Sequence, residues 1–291
     1  MPSKWITVAP FSNPNIAPKI ELPFNLGHGV SIAEIPPAIF ALQQNDSVSK
    51  AFKESLESKR YCLLIEYEAE SLGQEQINAS EKLCFAHKTL WLLKNASFGV
   101  EGYGHINLIE NEYIVRQAVK TSICYLSGND VYEPLDNGDF DDYIKIFNTL
   151  ISLKRGTPLT VTLKSIIKGV TEFQWEWRYL CFWVALEALF GAETEIRYRL
   201  SQRMGLFLGT DLKEASEIYE FIKRAYVYRS KVVHGSELKK FNGDESLDLM
   251  AELERQLRKA VIKILSSQNL ITIFEGKSRE SYLDTLAFKS N

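Results

Sequence analysis

Residues 226–235 read YVYRSKVVHG and hold an arginine, Arg229, and a histidine, His234. A histidine side chain exchanges protons near neutral pH and so serves as general base or general acid. An arginine stays charged and offers two parallel N–H donors to an oxyanion, which suits it to hold a phosphate and to stabilise charge that builds on it. Together they offer proton transfer beside a bound phosphate. Neither residue calls for a metal ion or cofactor, and the sequence holds no cluster of cysteines and histidines at metal-ligand spacing.

The pair belongs to a helix expected over about 211–234, opened by Asp211 with Glu214 three positions on, the spacing of a capping box. Its apolar stripe runs Ala215, Ile218, Tyr219, Ile222, Tyr226 and Val233. At about 100° per residue Arg229 falls inside that stripe, while Glu220, Lys223, Lys231 and His234 fall on the polar side. Five positions amount to about 140° of rotation, so one regular helix does not set Arg229 and His234 side by side. Either the helix unwinds near Gly235 or a second copy of the chain completes the pair. An arginine on an inward face needs a partner, because an unpaired buried charge costs several kcal/mol. Glu187, the one carboxylate inside the apolar run LCFWVALEALF, is the natural candidate, and Arg203 competes for it.

Around the pair, Lys223, Arg224, Arg229, Lys231, Lys239 and Lys240 stand against Glu220 and Glu237, a local charge of six minus two, or +4. The whole chain carries −3, which argues against non-specific coating of nucleic acid but leaves room for a local phosphate-binding patch. Tyr228 could stack on a base, whereas Tyr226 reads as core. His28, His87 and His105 lack such surroundings and read as structural.

These residues must be positioned by a chain of 291 residues, long enough for two domains with separate cores. Residues 1–45 hold seven of the nine prolines between short apolar pieces, which reads as strands and loops. RYCLLIEYEA at 60–69 is the clearest strand, and a helix capped by Ser80 is expected over 80–95. FGVEGYGH reads as a glycine-rich turn rather than a phosphate-binding loop. After about 137 every long segment has helical periodicity, with helices expected near 139–153, 158–169, 172–191, 194–208, 211–234 and 245–267. The expected fold class is α+β: a mixed, strand-rich region at 1–137 followed by an all-α bundle at 138–291. Cys62, Cys84, Cys124 and Cys181 stand apart among apolar neighbours and read as reduced core residues of a cytoplasmic protein. The stretch YLCFWVALEALFGA is too short to span a bilayer and carries Glu187, so no membrane partner is expected.

FWVALEALFG at 182–191, RYRLSQRMGLFLG at 197–209, IYEFIKRAYVYRSKVVHG at 218–235 and the closing amphipathic helix resemble the HEPN superfamily, specifically its Apea-like domains. The resemblance covers roughly 170–268. It implies an all-helical domain, often dimeric, whose R-x(4 to 6)-H motif performs metal-independent RNA cleavage in toxin, antiphage and RNA-processing proteins. Carried onto this chain, the motif is Arg229, holding the phosphate, and His234, as general acid or base. Ser230 stands where the family often has asparagine or aspartate. Glu187 and Arg203 would support the pair, and Lys223, Arg224, Tyr228, Lys231, Lys239 and Lys240 would contact RNA, tRNA among the candidate substrates. The implied assembly is a homodimer through the helical domain, with an antitoxin partner if the protein is a toxin, and no cofactor. The alternative is a non-catalytic module binding RNA, nucleotide or a protein partner, since some members have lost activity. A third possibility is a purely structural dimerisation bundle, in which Arg229 is fully paired with Glu187 and sealed from solvent.

Overall fold

Strand Ser3–Ser12 (β1) alternates with period two, sending Ile6 and Val8 to one side and Thr7 and Ala9 to the other. Six strands follow the same rule in a computed structural model that describes residues 2–12, 21–45, 48, 50–57, 59–93, 99–109, 112–123, 137–192, 194–234 and 244–288. The chain runs from β1 through Phe24–Gly27 (β2), Val30–Glu34 (β3), the short helices Pro37–Phe40 (α1) and Lys50–Leu56 (α2), and Tyr61–Ala69 (β4). It continues through helix Gln74–Leu93 (α3), strands Gly99–Ile109 (β5) and Glu112–Ile123 (β6), and helix Asn137–Ser152 (α4). All neighbouring strands are antiparallel, in the order β2-β3-β4-β1-β5-β6. Helices α3 and α4 cover one face, packing Leu83, Ala86, Leu90, Phe140, Tyr143 and Phe147 on Val30, Ile32, Leu63 and Ile65. Helices α1 and α2 cover the other, packing Ile39, Phe52 and Leu56 on Ile6, Val8, Leu64 and Ile106.

Three expectations for this half change. The boundary expected near 137 lies between Ser152 and Leu153, because α4 packs its apolar face on the sheet and Tyr143 donates a 2.7 Å hydrogen bond to the Ala86 carbonyl. Ser80 is not a cap. Helix α3 starts at Gln74, where the side chain of Gln76 accepts from the Gly73 N–H and donates to the Ser71 carbonyl, so a glutamine at the third helical position closes the end. FGVEGYGH is not a turn, since Gly99 onward is strand β5. Gly104 is there for space: a Cβ at that position would lie 2.3 Å from the Phe52 ring.

The second unit, Leu153–Asn291, is helical throughout the described residues. Its elements are Pro158–Val170 (α5), Trp175–Phe190 (α6), Ile196–Leu208 (α7), Leu212–Val233 (α8), Asp244–Leu265 (α9), Gln268–Glu275 (α10) and Arg279–Thr285 (α11). The first five match the expected helices to within a few residues, while α10 and α11, too short for a clear period, were not foreseen. Helix α6 is the core element: Tyr179, Phe182, Trp183, Leu186, Leu189 and Phe190 are all buried, with Ile218, Ile222, Leu253, Leu257 and Val261 from its neighbours. Helices α7 and α8 approach closely at Gly205, where a Cβ would meet the Ala215 carbonyl at 2.5 Å. The molecule is thus of mixed α+β class, and no helix among the described residues is long and apolar enough to cross a membrane.

Candidate functional site

Helix α8 is closed at its start as its sequence implies. Asp211 Oδ1 accepts the Glu214 N–H at 2.8 Å, while the Glu214 carboxylate reaches back to the N–H and hydroxyl of Thr210, one residue before the cap. The helix stays regular to its other end, where His234 is the C-cap and its N–H donates to the Ser230 carbonyl at 3.1 Å. No unwinding intervenes between Arg229 and His234, so the turn of about 140° between them is retained.

The inward face of α8 lies along α6. The Tyr179 hydroxyl donates to the Ala225 carbonyl at 2.6 Å, and burial pushes that phenol's pKa well above its ordinary value. One turn on, Trp183 meets Tyr226 edge to face at 5.5 Å, so Tyr226, expected in the core, lies on the inward face but is only half-buried. The next turn brings Glu187 Oε1 to 3.0 Å from Arg229 Nη2. The expected Arg229–Glu187 pair is therefore formed, with the guanidinium 5.7 Å from the Tyr226 ring centre.

This pairing is incomplete. The approach lies off the N–H direction, so the buried Glu187 Oε1 and the buried Arg229 Nε both lack a hydrogen bond of good geometry among the described residues. The two side chains are 28% and 33% exposed as a whole, although these two atoms are themselves buried. Arg203 does not compete for Glu187. It is 3% exposed and serves the far end of α6, donating to the carbonyls of Phe190 and Gly191 and to Glu280 and Asp284. With Arg279, which donates to the Ala188 carbonyl, it satisfies the last carbonyls of that helix, where cations are favoured.

The basic residues are only partly assembled. Arg224, Tyr228, Lys231 and His234 recur at spacings of three and four along the outward side of α8. Lys231 lies 5.6 Å from the ring centre of Tyr228, a half-buried residue at the edge of this face. Lys223 is already bound to Glu220 at 3.1 Å. Ser230 is half-buried, and Lys239, Lys240, Glu237 and Gly235 lie outside the described residues. Val233, expected on the buried stripe, is 48% exposed. His234 is exposed, so the chain by itself brings Arg229 to Glu187 and leaves His234 on the outer face.

Two polar clusters escaped the sequence. Arg178 and Glu254 form a 3.0 Å pair between α6 and α9, 12% and 6% exposed, whose only trace in the sequence is a charge beside aromatic residues. In the first unit, His105 Nδ1 lies 2.7 Å from Thr7 Oγ1 and 3.3 Å from the Tyr67 hydroxyl, and Nε2 lies 3.2 Å from Ser80 Oγ. Ser80 donates its proton to the Gln76 carbonyl, so it accepts from Nε2–H and leaves Nδ1 as the acceptor. Burial holds this imidazole neutral, with its pKa lowered to about 4, in keeping with a structural role. Such a cross-strand contact follows from the register that sets Thr7 opposite His105, which local sequence does not carry. Of the other histidines, His87 is buried in α3 and His28 sits in the β2–β3 turn with φ 52°. Cys62 is buried, Cys84 and Cys181 are half-buried, all three are free thiols, and Cys124 lies outside the described residues.

Compared with known proteins, the chain matches no family model, no curated protein and no solved structure.

Proposed function

We propose that the helical unit is a HEPN-type RNA-processing domain that cleaves a phosphodiester with Arg229 and His234. The observation that carries this is the state of Arg229. An arginine kept only as a strut is expected to be sealed and saturated, whereas this one has a single off-axis partner and remains 28% exposed. In the reaction His234 takes the proton of a ribose 2'-hydroxyl, whose oxygen attacks the adjacent phosphorus. The bond to the 5'-oxygen breaks, and that oxygen leaves with a proton from water or a second histidine. Arg229 holds the non-bridging oxygens as charge builds on them. Because the two side chains diverge by about 140° on one helix, a single phosphate reaches both when two copies face each other. A homodimer is therefore part of the proposal. The outward row of Arg224, Tyr228 and Lys231 supplies attraction for the backbone and a ring for an unpaired base.

The test is cleavage of tRNA by the purified protein in excess EDTA. Wild type cuts, and His234→Ala and Arg229→Lys lose at least about a hundredfold in rate, the usual loss when a proton-transfer or anion-holding group is removed. If wild type cuts no faster than His234→Ala on every RNA tried, catalysis is excluded. Salt-sensitive RNA binding without cutting then points to the non-catalytic alternative, which the Glu187 carboxylate already lying on Arg229 favours.

A further inference from the structure

Resting on that reading for the identity of its ligand, we propose that Glu187 is a resident counter-ion that competes with the incoming phosphate for Arg229 and so sets the affinity of the site.

The geometry of the pair points this way. A carboxylate that braces an arginine frequently makes two parallel hydrogen bonds with it, a fork on a fork. Here one oxygen approaches one terminal nitrogen at 3.0 Å off the hydrogen-bond direction, and the arginine's Nε has no acceptor among the described residues. Glu187 Oε1 likewise has no hydrogen-bond donor among the described residues, so nothing described there fixes that oxygen in place. The surroundings repeat the point. Tyr226 lies 5.7 Å from the guanidinium, a flat ring across which it can turn without losing its contact. Arg203, toward the end of α6, is engaged with two backbone carbonyls and two carboxylates and makes no ion pair with Glu187.

Charge decides the consequence. Arg229 and Glu187 sum to zero, so the free site exerts little net pull on an anion. A phosphodiester must either take the guanidinium from the carboxylate or sit beside a like charge. Neutralising the acid without changing its shape leaves Arg229 a full unit of charge for the phosphate. The expected gain is about fivefold in affinity, the ceiling for an ion pair open to solvent.

The experiment uses the full chain and two probes, inorganic phosphate and a labelled 2'-O-methyl RNA oligonucleotide that cannot be cut. Phosphate binding is followed through the side-chain Nε–H resonance of Arg229, assigned by its loss in Arg229→Lys, and RNA binding through fluorescence anisotropy. Glu187→Gln is expected to bind both probes about fivefold tighter at low salt, with the gain abolished in the Arg229→Gln background. Glu187→Ala gives the same sign and stands in if the glutamine variant does not fold. Unchanged or weaker phosphate binding by a folded Glu187 variant overturns the proposal, because a bracing acid lost from the site leaves Arg229 less well placed. The two failures separate cleanly. RNA binding by wild type with no gain on neutralising Glu187 defeats the counter-ion and spares the RNA function. Phosphate binding that tightens while no variant binds RNA does the reverse.

Discussion

Arg203 and Arg229, two of the helical unit's arginines that face carboxylates, differ in how completely they are used. Arg203 is 3% exposed and spends its donors on two carbonyls at the end of α6 and on Glu280 and Asp284. Arg229 is 28% exposed, meets one oxygen of Glu187 off axis and has no acceptor for Nε among the described residues. The first is all but sealed from solvent, with four acceptors around its two terminal nitrogens. The second is charged, reachable and under-satisfied, a combination expected where a ligand supplies the missing acceptor. Ion pairing as such therefore says little about role, and the number of donors left over says more.

The sharpest test of that contrast is to remove the saturated arginine. Arg203→Ala is expected to cost about 2–4 kcal/mol, because it strands buried carbonyls at the end of a core helix and opens a hole beside Phe190. Glu280 and Asp284 are about half exposed and rehydrate, which keeps the loss below that of a fully buried pair. Urea denaturation measures it. A loss under about 1 kcal/mol breaks the comparison, since saturation would then not mean structural weight.

Histidines divide in the same way. His105 is saturated by Thr7, Tyr67 and Ser80 inside the first unit, whereas His234 is exposed at a helix end with no side-chain partner among the described residues. Folded His105 has a pKa of about 4 against an ordinary 6.5, so between those values the unfolded chain binds a proton that the folded chain refuses. Stability then falls as pH drops from 6.5 toward 4, by up to about 2 kcal/mol between pH 6.5 and 5. Carboxylates add to acid loss in any protein, so the measurement is the difference between wild type and His105→Gln in urea at each pH. That difference is expected to shrink on acidification, and parallel curves show that His105 is not the sensor.

What the sequence carried and what it did not follow the same divide between local and long-range causes. The start of α8 was legible because Asp211 and Glu214 act within one turn of each other, and its inward face because Ile218, Ile222 and Tyr226 recur every four positions. The pairing of Glu187 with Arg229 was legible as well, because a lone acid in an apolar helix and a lone arginine in an apolar stripe have few other ways to be satisfied. Arg203 misled because its acceptors include the carbonyls of Phe190 and Gly191, and backbone groups leave no mark in composition. The placement of α4 was hidden because Phe140, Tyr143 and Phe147 give the same stripe whether they meet a helix or a sheet. The cluster around His105 depends on strand register, and the Arg178–Glu254 pair on which faces of α6 and α9 meet.

The smallest stability effect belongs to Arg229. Arg229→Gln keeps a donor near Glu187 and removes an ion pair about one third exposed, so the expected cost is below about 1 kcal/mol. Glu187, itself 33% exposed, recovers by hydration much of what it loses. The variant is therefore expected to melt close to wild type while losing RNA cleavage, the opposite of Arg203→Ala, which is expected to lose stability first and activity only as it unfolds. Denaturation and cleavage measured on both variants place the two arginines on separate axes. If Arg229→Gln is instead as destabilised as Arg203→Ala, the pair with Glu187 is a strut between α6 and α8, and the under-satisfied atoms are the price of packing rather than a vacancy for phosphate.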